Sequence, residues 1–90
     1  MDTNITHDGP KGRFYIAGPE KDKGFLTYSI KDGVMNISGT YVDPAYRGHQ
    51  YARNLVDAGI ELAKSKQLKI NPTCSYALKV VERDYPDLMI

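Results

Sequence analysis

The sequence predicts one α+β domain, a mixed, mostly antiparallel sheet with a β-α-β crossover and two helices, in the order β-β-β-α-β-α. Three observations predict it. The first half holds three short apolar stretches divided by turn-forming residues, the mark of an antiparallel meander. A long stretch after them repeats apolar residues at spacings of three and four, the period of a helix. A short strand and a second helical stretch follow. Two strands therefore flank the long helix, and such a crossover makes them parallel and right-handed in connection.

Residues 1–12 are polar and hold two glycines and a proline. They read as a flexible N-terminal tail, since termini fray unless tied down; residues 13–90 form the domain. Phe14-Tyr15-Ile16-Ala17 is the first strand, closed by Gly18-Pro19. The charged turn Glu20-Lys21-Asp22-Lys23-Gly24 leads to a second strand over residues 25–30, with Leu26, Tyr28 and Ile30 on one face and Phe25, Thr27 and Ser29 on the other. Lys31-Asp32-Gly33 is a hairpin signal. The third strand, residues 34–42, places Met35, Ile37 and Tyr41 on one face.

Asp43-Pro44 ends that strand, because proline disfavours helical geometry in the residue before it. The long helix spans about residues 49–66, with Ala52, Leu55, Val56, Gly59, Leu62 and Ala63 on its apolar face and Glu61, Lys64, Lys66 and Gln67 in solvent. Leu68-Lys69-Ile70 is a short strand stopped by Asn71-Pro72. The last helix covers about residues 74–83 and buries Cys74, Ala77, Leu78 and Val81. Thr73 is expected to cap it, and Pro86 follows its end.

Composition narrows the function. A chain of 90 residues buries about 64% of its unfolded surface, enough for one modest core. The net charge of +1 offers no electrostatic footprint for nucleic acid or an anionic membrane. A single cysteine forms no internal disulfide, so the disulfide-rich secreted class is excluded. No apolar run approaches the length of a membrane span, and residues 1–6 lack the pattern of a signal peptide. A reducing cytoplasm is the expected compartment. One cysteine and two distant histidines build no metal site.

The most informative segment is Val42-Asp43-Pro44-Ala45-Tyr46-Arg47-Gly48-His49-Gln50-Tyr51-Ala52. It follows a strand and opens a helix, where free amides and the positive end of the helix dipole meet and suit a pyrophosphate. Gly48 permits close backbone approach, Ala52 is small, and Arg47 and Arg53 add charge. An ordinary strand-to-helix turn uses the same residue types.

This segment resembles motif A of the GNAT superfamily of acetyl-CoA-dependent N-acetyltransferases. That motif reads Gln or Arg, two residues of any kind, Gly, one of any kind, then Gly or Ala. Arg47 and Ala52 match its ends, and Gly48 the glycine that commonly follows the arginine. Gln50 stands in place of the central glycine. Leu68-Lys69-Ile70-Asn71-Pro72-Thr73-Cys74-Ser75-Tyr76, a helix and a Tyr-Pro-Asp-Leu tail are similar to the short single-domain branch of that superfamily. Branch members often carry a histidine where Gly39 precedes Thr40. The resemblance spans about residues 14–88 and implies a GNAT-like fold.

It further implies that acetyl-CoA is the cosubstrate and that an amine, small molecule or protein lysine, accepts the acetyl group. The backbone from Arg47 through Gly48, His49, Gln50, Tyr51 and Ala52 to Arg53 would hold the cofactor's pyrophosphate. Tyr41 and Val42 would line its pantetheine arm. Cys74, at a helix N-terminus where a thiolate is favoured, would accept and relay the acetyl group. It serves equally as a small buried hydrophobe. Tyr76 would protonate the departing thiolate, or it is one of seven tyrosines with a wet hydroxyl. The alternative is a catalytically inactive CoA-binding or protein-interaction module of the same fold. A monomer or loose dimer without nucleic-acid or membrane partners is expected.

Overall fold

The computed structural model of the protein describes residues 4–90. Five strands form one sheet in the order β1-β2-β3-β4-β5: β1 (Thr6–Asp8), β2 (Arg13–Ile16), β3 (Gly24–Lys31), β4 (Val34–Val42) and β5 (Lys69–Pro72). The first four pair antiparallel, and β5 joins β4 in parallel. Helix α1 (Tyr51–Ser65) connects β4 to β5, and α2 (Ser75–Asp84) follows. The fold class and the crossover match the sequence expectation. Among the described residues, no helix is long and apolar enough to cross a membrane.

The stretch expected to be a loose tail behaves differently. Its residues 1–3 lie outside the described residues, but Thr6–Asp8 pair with Arg13–Tyr15. His7 stacks on Phe14 at 4.3 Å between ring centroids and bonds the Tyr28 hydroxyl. Side-chain stacking supplies what the polar backbone of this segment lacks. At the other terminus Pro72, expected to stop β5, is its last residue, and Ile70 also bridges Met89. A proline fits the end of a strand that donates no further ladder bond.

The Lys31-Asp32-Gly33 signal is realised as a two-residue turn, with Asp32 and Gly33 both at positive φ (53° and 78°), the requirement of a type I′ hairpin. Both helices pack on one face of the sheet. Leu26, Met35, Ile37 and Ile70 meet Leu55, Val56, Ile60, Ala63, Ala77 and Val81, all fully buried. Ile60 and Val80 join the core although the sequence reading omitted them, while Leu62, Leu78 and Ala52 sit at its margin.

The alternation of β4 breaks in its middle. Thr27 pairs with Gly39 but Tyr28 pairs with Ile37, so Ser38 is an extra residue on β4. Such a β-bulge shifts the later residues to the opposite face. Met35 and Ile37 point to the helices before it; after it Val42 is buried, and Tyr41, expected beside Met35 and Ile37, is 41% exposed against Phe25.

Gly59 lies in the middle of α1, and a Cβ there would meet Leu26 and Ile37 side chains at 3.8–3.9 Å, ordinary contact distance. Gly59→Ala is therefore expected to stabilise the protein by about 1 kcal/mol through helix propensity and added packing. Urea denaturation measures this, and a loss of stability would show that the α1–sheet interface admits no methyl group.

Candidate functional site

The bulge coincides with the end of the β4–β5 pairing, which runs only from Val34–Lys69 to Ile37–Pro72. There the Ile37 carbonyl accepts from the Thr73 amide (3.0 Å), the Cys74 amide (3.2 Å) and the Thr73 hydroxyl (3.0 Å). Thr73 is thus spent on β4, and Cys74, not Thr73, is the N-cap of α2. Beyond this knot the chain after β5 turns away into α2, and β4 from Ser38 to Val42 has no strand on that side.

A cleft of about 300 Å3 lies along the freed strand. Thr40 and Val42 form its floor, Tyr46, Arg47, Gly48 and Gln50 one side, Tyr51, Ala52 and Arg53 the opening of α1, and Tyr76 the wall from α2. Most residues expected to hold a cofactor meet here, together with one of the two catalytic candidates. Tyr41 does not, because the bulge turns it to the other sheet face, in a groove with Arg13, Asp22 and Phe25. His49 stays outside as well, exposed and stacked on Tyr51 at 5.5 Å.

The loop into α1 is shaped by two left-handed residues. Gly48 has φ 89°; a Cβ there would touch nothing, so the glycine serves the backbone angle and not a tight contact. Gln50, the N-cap of α1, has φ 62° and ψ 23° and makes no capping bond with its side chain. It adopts the conformation a glycine takes easily, at a cost of about 1 kcal/mol or more for an L-residue. The first helical bond inside α1 is Asn54 N–H to Gln50 C=O at 3.0 Å. The amides of Tyr51, Ala52 and Arg53 precede it and have no intrahelical acceptor; with the helix dipole they give the cleft a positive end.

Side chains brace this loop from behind. The Arg47 Nε donates to the Val42 carbonyl at 3.2 Å. Arg53 turns from the cleft to Asp57 (3.0 Å) and to Asp84 on α2 (2.8 Å), and these carboxylates hold its guanidinium above its ordinary pKa. The Tyr85 hydroxyl joins at Asp57, 3.2 Å away. Asp43 is buried at 5% exposure, with Lys21 Nζ 2.7 Å from one carboxylate oxygen and the Ala45 amide 2.9 Å from the other.

Cys74 does not line the cleft but touches its floor, with Sγ 3.6 Å from the Thr40 hydroxyl. Burial pushes its thiol up, and the amides of Ala77 and Tyr76 with the Thr40 hydroxyl outweigh that, holding it below the ordinary value. Tyr76 is 39% exposed at the cleft mouth. Thr40 and Tyr46 are the lining residues sequence reasoning missed; the signal for Thr40 was the offset of a bulge, which residue alternation alone does not reveal.

Comparison with known proteins identifies the family and the fold. A model of the GCN5-related N-acetyl-transferase family matches residues 13–88. Protein NATD1 of Danio rerio is 29% identical over 82 residues, covering 89% of this chain and 74% of that protein. A GCN5-like protein of Staphylococcus aureus, solved by NMR, superposes with a TM-score of 0.79 at 27% identity, over 98% of this chain and 88% of that one. The fold of Rv2747 from Mycobacterium tuberculosis, crystallised with CoA, matches with a TM-score of 0.59 at 23% identity, over 68% of this chain and 40% of that one.

Two expectations follow for the apo protein. Gln50→Gly is expected to raise stability by about 0.5–1 kcal/mol in urea denaturation by relieving the left-handed strain; destabilisation would mean that the Gln50 side chain makes a compensating contact. Iodoacetamide is expected to label Cys74 in the folded protein with a half-maximal pH below that of the urea-unfolded chain. The matching stability contribution is absent below the folded pKa, grows as pH rises and is complete above the unfolded pKa. Equal labelling midpoints would remove the thiolate from consideration.

Proposed function

The chain belongs to the GCN5-related N-acetyltransferase family, and from that premise we propose that it binds acetyl-CoA in the cleft and transfers the acetyl group to an amine. One observation carries this reading: the left-handed pair Gly48 and Gln50 delivers the open amides of α1 to the end of β4, whose side away from β3 carries no strand there. Gln50 takes the left-handed angles that a glycine adopts easily, which supports an open cradle despite the substitution.

In this reading the amides of Tyr51, Ala52 and Arg53 receive the pyrophosphate, as helix N-termini do for phosphates. The edge of β4 that β5 leaves uncovered, from Ser38 to Thr40, offers backbone bonds to the pantetheine amides, while the Val42 carbonyl is taken by Arg47. Val42 lines the arm, and Tyr41, on the other face, has no part in it. The thioester then sits near Thr40 and Tyr76. The protein's contribution is chiefly orientation. The amine nitrogen forms a bond to the acetyl carbon, the carbon–sulfur bond breaks, and Tyr76 gives its proton to the departing sulfur while the new amide loses one to water.

Cys74 supports a second route. Its thiolate attacks the same carbonyl and expels CoA, whose sulfur takes the Tyr76 proton; the amine then attacks the resulting thioester, loses a proton to water and frees the Cys74 thiolate. The depressed thiol pKa and the 3.6 Å contact with Thr40 favour it. The acceptor is an amine, of a small molecule or of a protein lysine. A reducing cytoplasm would keep Cys74 free for this chemistry.

Titration of 15N-labelled protein with acetyl-CoA is expected to shift amides of residues 42–53 and those around Cys74 and Tyr76. CoA release, followed by thiol titration, should then depend on an added amine. No shift at millimolar acetyl-CoA would overturn the reading; binding without amine-dependent release would leave an interaction module. Cys74→Ala is expected to abolish release if the relay operates and to leave it within about threefold if the amine attacks directly.

A further inference from the structure

Among the described residues Asp43 is the one buried charged side chain. Burying a carboxylate is costly unless it is paired and hydrogen-bonded, and a buried pair is poor evidence of stability because desolvation offsets attraction. The location of this one is informative. Asp43 is the first residue after β4, immediately before the 3-10 turn Pro44–Tyr46 that leads to Arg47 and Gly48. Its amide donates to the Lys23 carbonyl at 2.8 Å, and its own carbonyl accepts from the Tyr46 amide at 2.8 Å. One carboxylate oxygen accepts from the Ala45 amide at 2.9 Å, and the other meets Lys21 Nζ at 2.7 Å.

Lys21 and Lys23 belong to the loop between β2 and β3. Lys23 also sets its ammonium 5.1 Å over the Tyr46 ring, and Tyr46 lines the cleft. The β2–β3 loop therefore grips the cleft loop at its backbone, its buried carboxylate and its aromatic ring. A cap for a short 3-10 turn needs only the acceptor oxygen that an asparagine also has. It does not need a cation brought from another loop.

We propose that Asp43, paired with Lys21, is the positioning residue of the cofactor cradle: the pair fixes the Pro44–Tyr46 turn against the β2–β3 loop and so sets the angle at which Arg47 to Arg53 face the cleft. This rests on the acetyl-CoA reading above. Asp43 touches neither cofactor nor reacting atoms; it acts through the turn.

The test is calorimetric titration of the full chain with acetyl-CoA. Asp43→Asn keeps the shape and the acceptor for Ala45 but removes the charge, and Lys21→Met keeps the stem but removes the ammonium. Each is expected to weaken binding at least fivefold, and the double variant to be no weaker than the weaker single one, the signature of a coupled pair. Lys21 is 75% exposed, so Lys21→Met carries the test even where Asp43→Asn fails to fold. Leu68→Ala, a core truncation remote from the cleft, is expected to lower Tm and leave Kd within twofold. Binding within twofold of wild type by Lys21→Met or Asp43→Asn overturns the inference alone, as does an equal loss in Leu68→Ala. A wild-type protein that binds no acetyl-CoA at millimolar concentration overturns the reading and this inference with it.

Discussion

The structure turns on the Ile37 carbonyl. Three donors from Thr73 and Cys74 converge on this one acceptor at 3.0–3.2 Å, directly before the bulged Ser38. The knot ends the parallel ladder, starts α2 and lets β4 continue with β3 as its one strand neighbour among the described residues. Without the bulge, Tyr41 would face the helices and Thr40 and Val42 would face away, and the cleft would have an aromatic ring for a floor. A strand with unpaired amides and carbonyls is ordinarily a liability that proteins cover. Here the exposed stretch is short, lies under the opening of α1, and is the natural place for an extended ligand to supply the missing partner.

Much of the fold was legible in the sequence, for identifiable reasons. Asp32-Gly33 announces its turn because few residues accept two positive φ angles in succession. The α1 stripe shows itself because burial against a sheet demands the 3.6-residue period. The cleft loop stands out because Arg47, Gly48 and Ala52 resemble motif A at its spacing. The remainder depends on pairing, which a single strand does not display. Nothing in Ile37-Ser38-Gly39 says that one residue is extra; that follows only from the register with Thr27 and Tyr28. Tyr41 was misplaced and Thr40 overlooked for this one reason. Thr6–Asp8 were read as tail because three polar residues carry no periodic signal, and their anchor is the stacking of His7 on Phe14.

The cleft combines rigid and strained parts. Its back is braced by Arg53 across α1 and α2, by Arg47 on the end of β4, and by Asp43 on the β2–β3 loop. Its front carries Gln50 in a left-handed conformation that costs energy. Strain of this kind persists only where the surroundings impose it, and the braces are what impose it. Residue pattern over most of the chain gives the family, and backbone angles shape the loop that opens α1.

The parallel step in the sheet has a kinetic meaning. The β3–β4 hairpin closes through a two-residue turn, so its contacts form between near neighbours in the chain. The β4–β5 ladder must wait until all of α1 has folded and crossed the sheet, and such long-range closure is slow because chain entropy is lost before contacts compensate it. The cleft lies at the seam between these two events. It is therefore expected to be completed late in folding and, held at its base by a parallel ladder of only four residue pairs, to open locally while the hairpin stays intact.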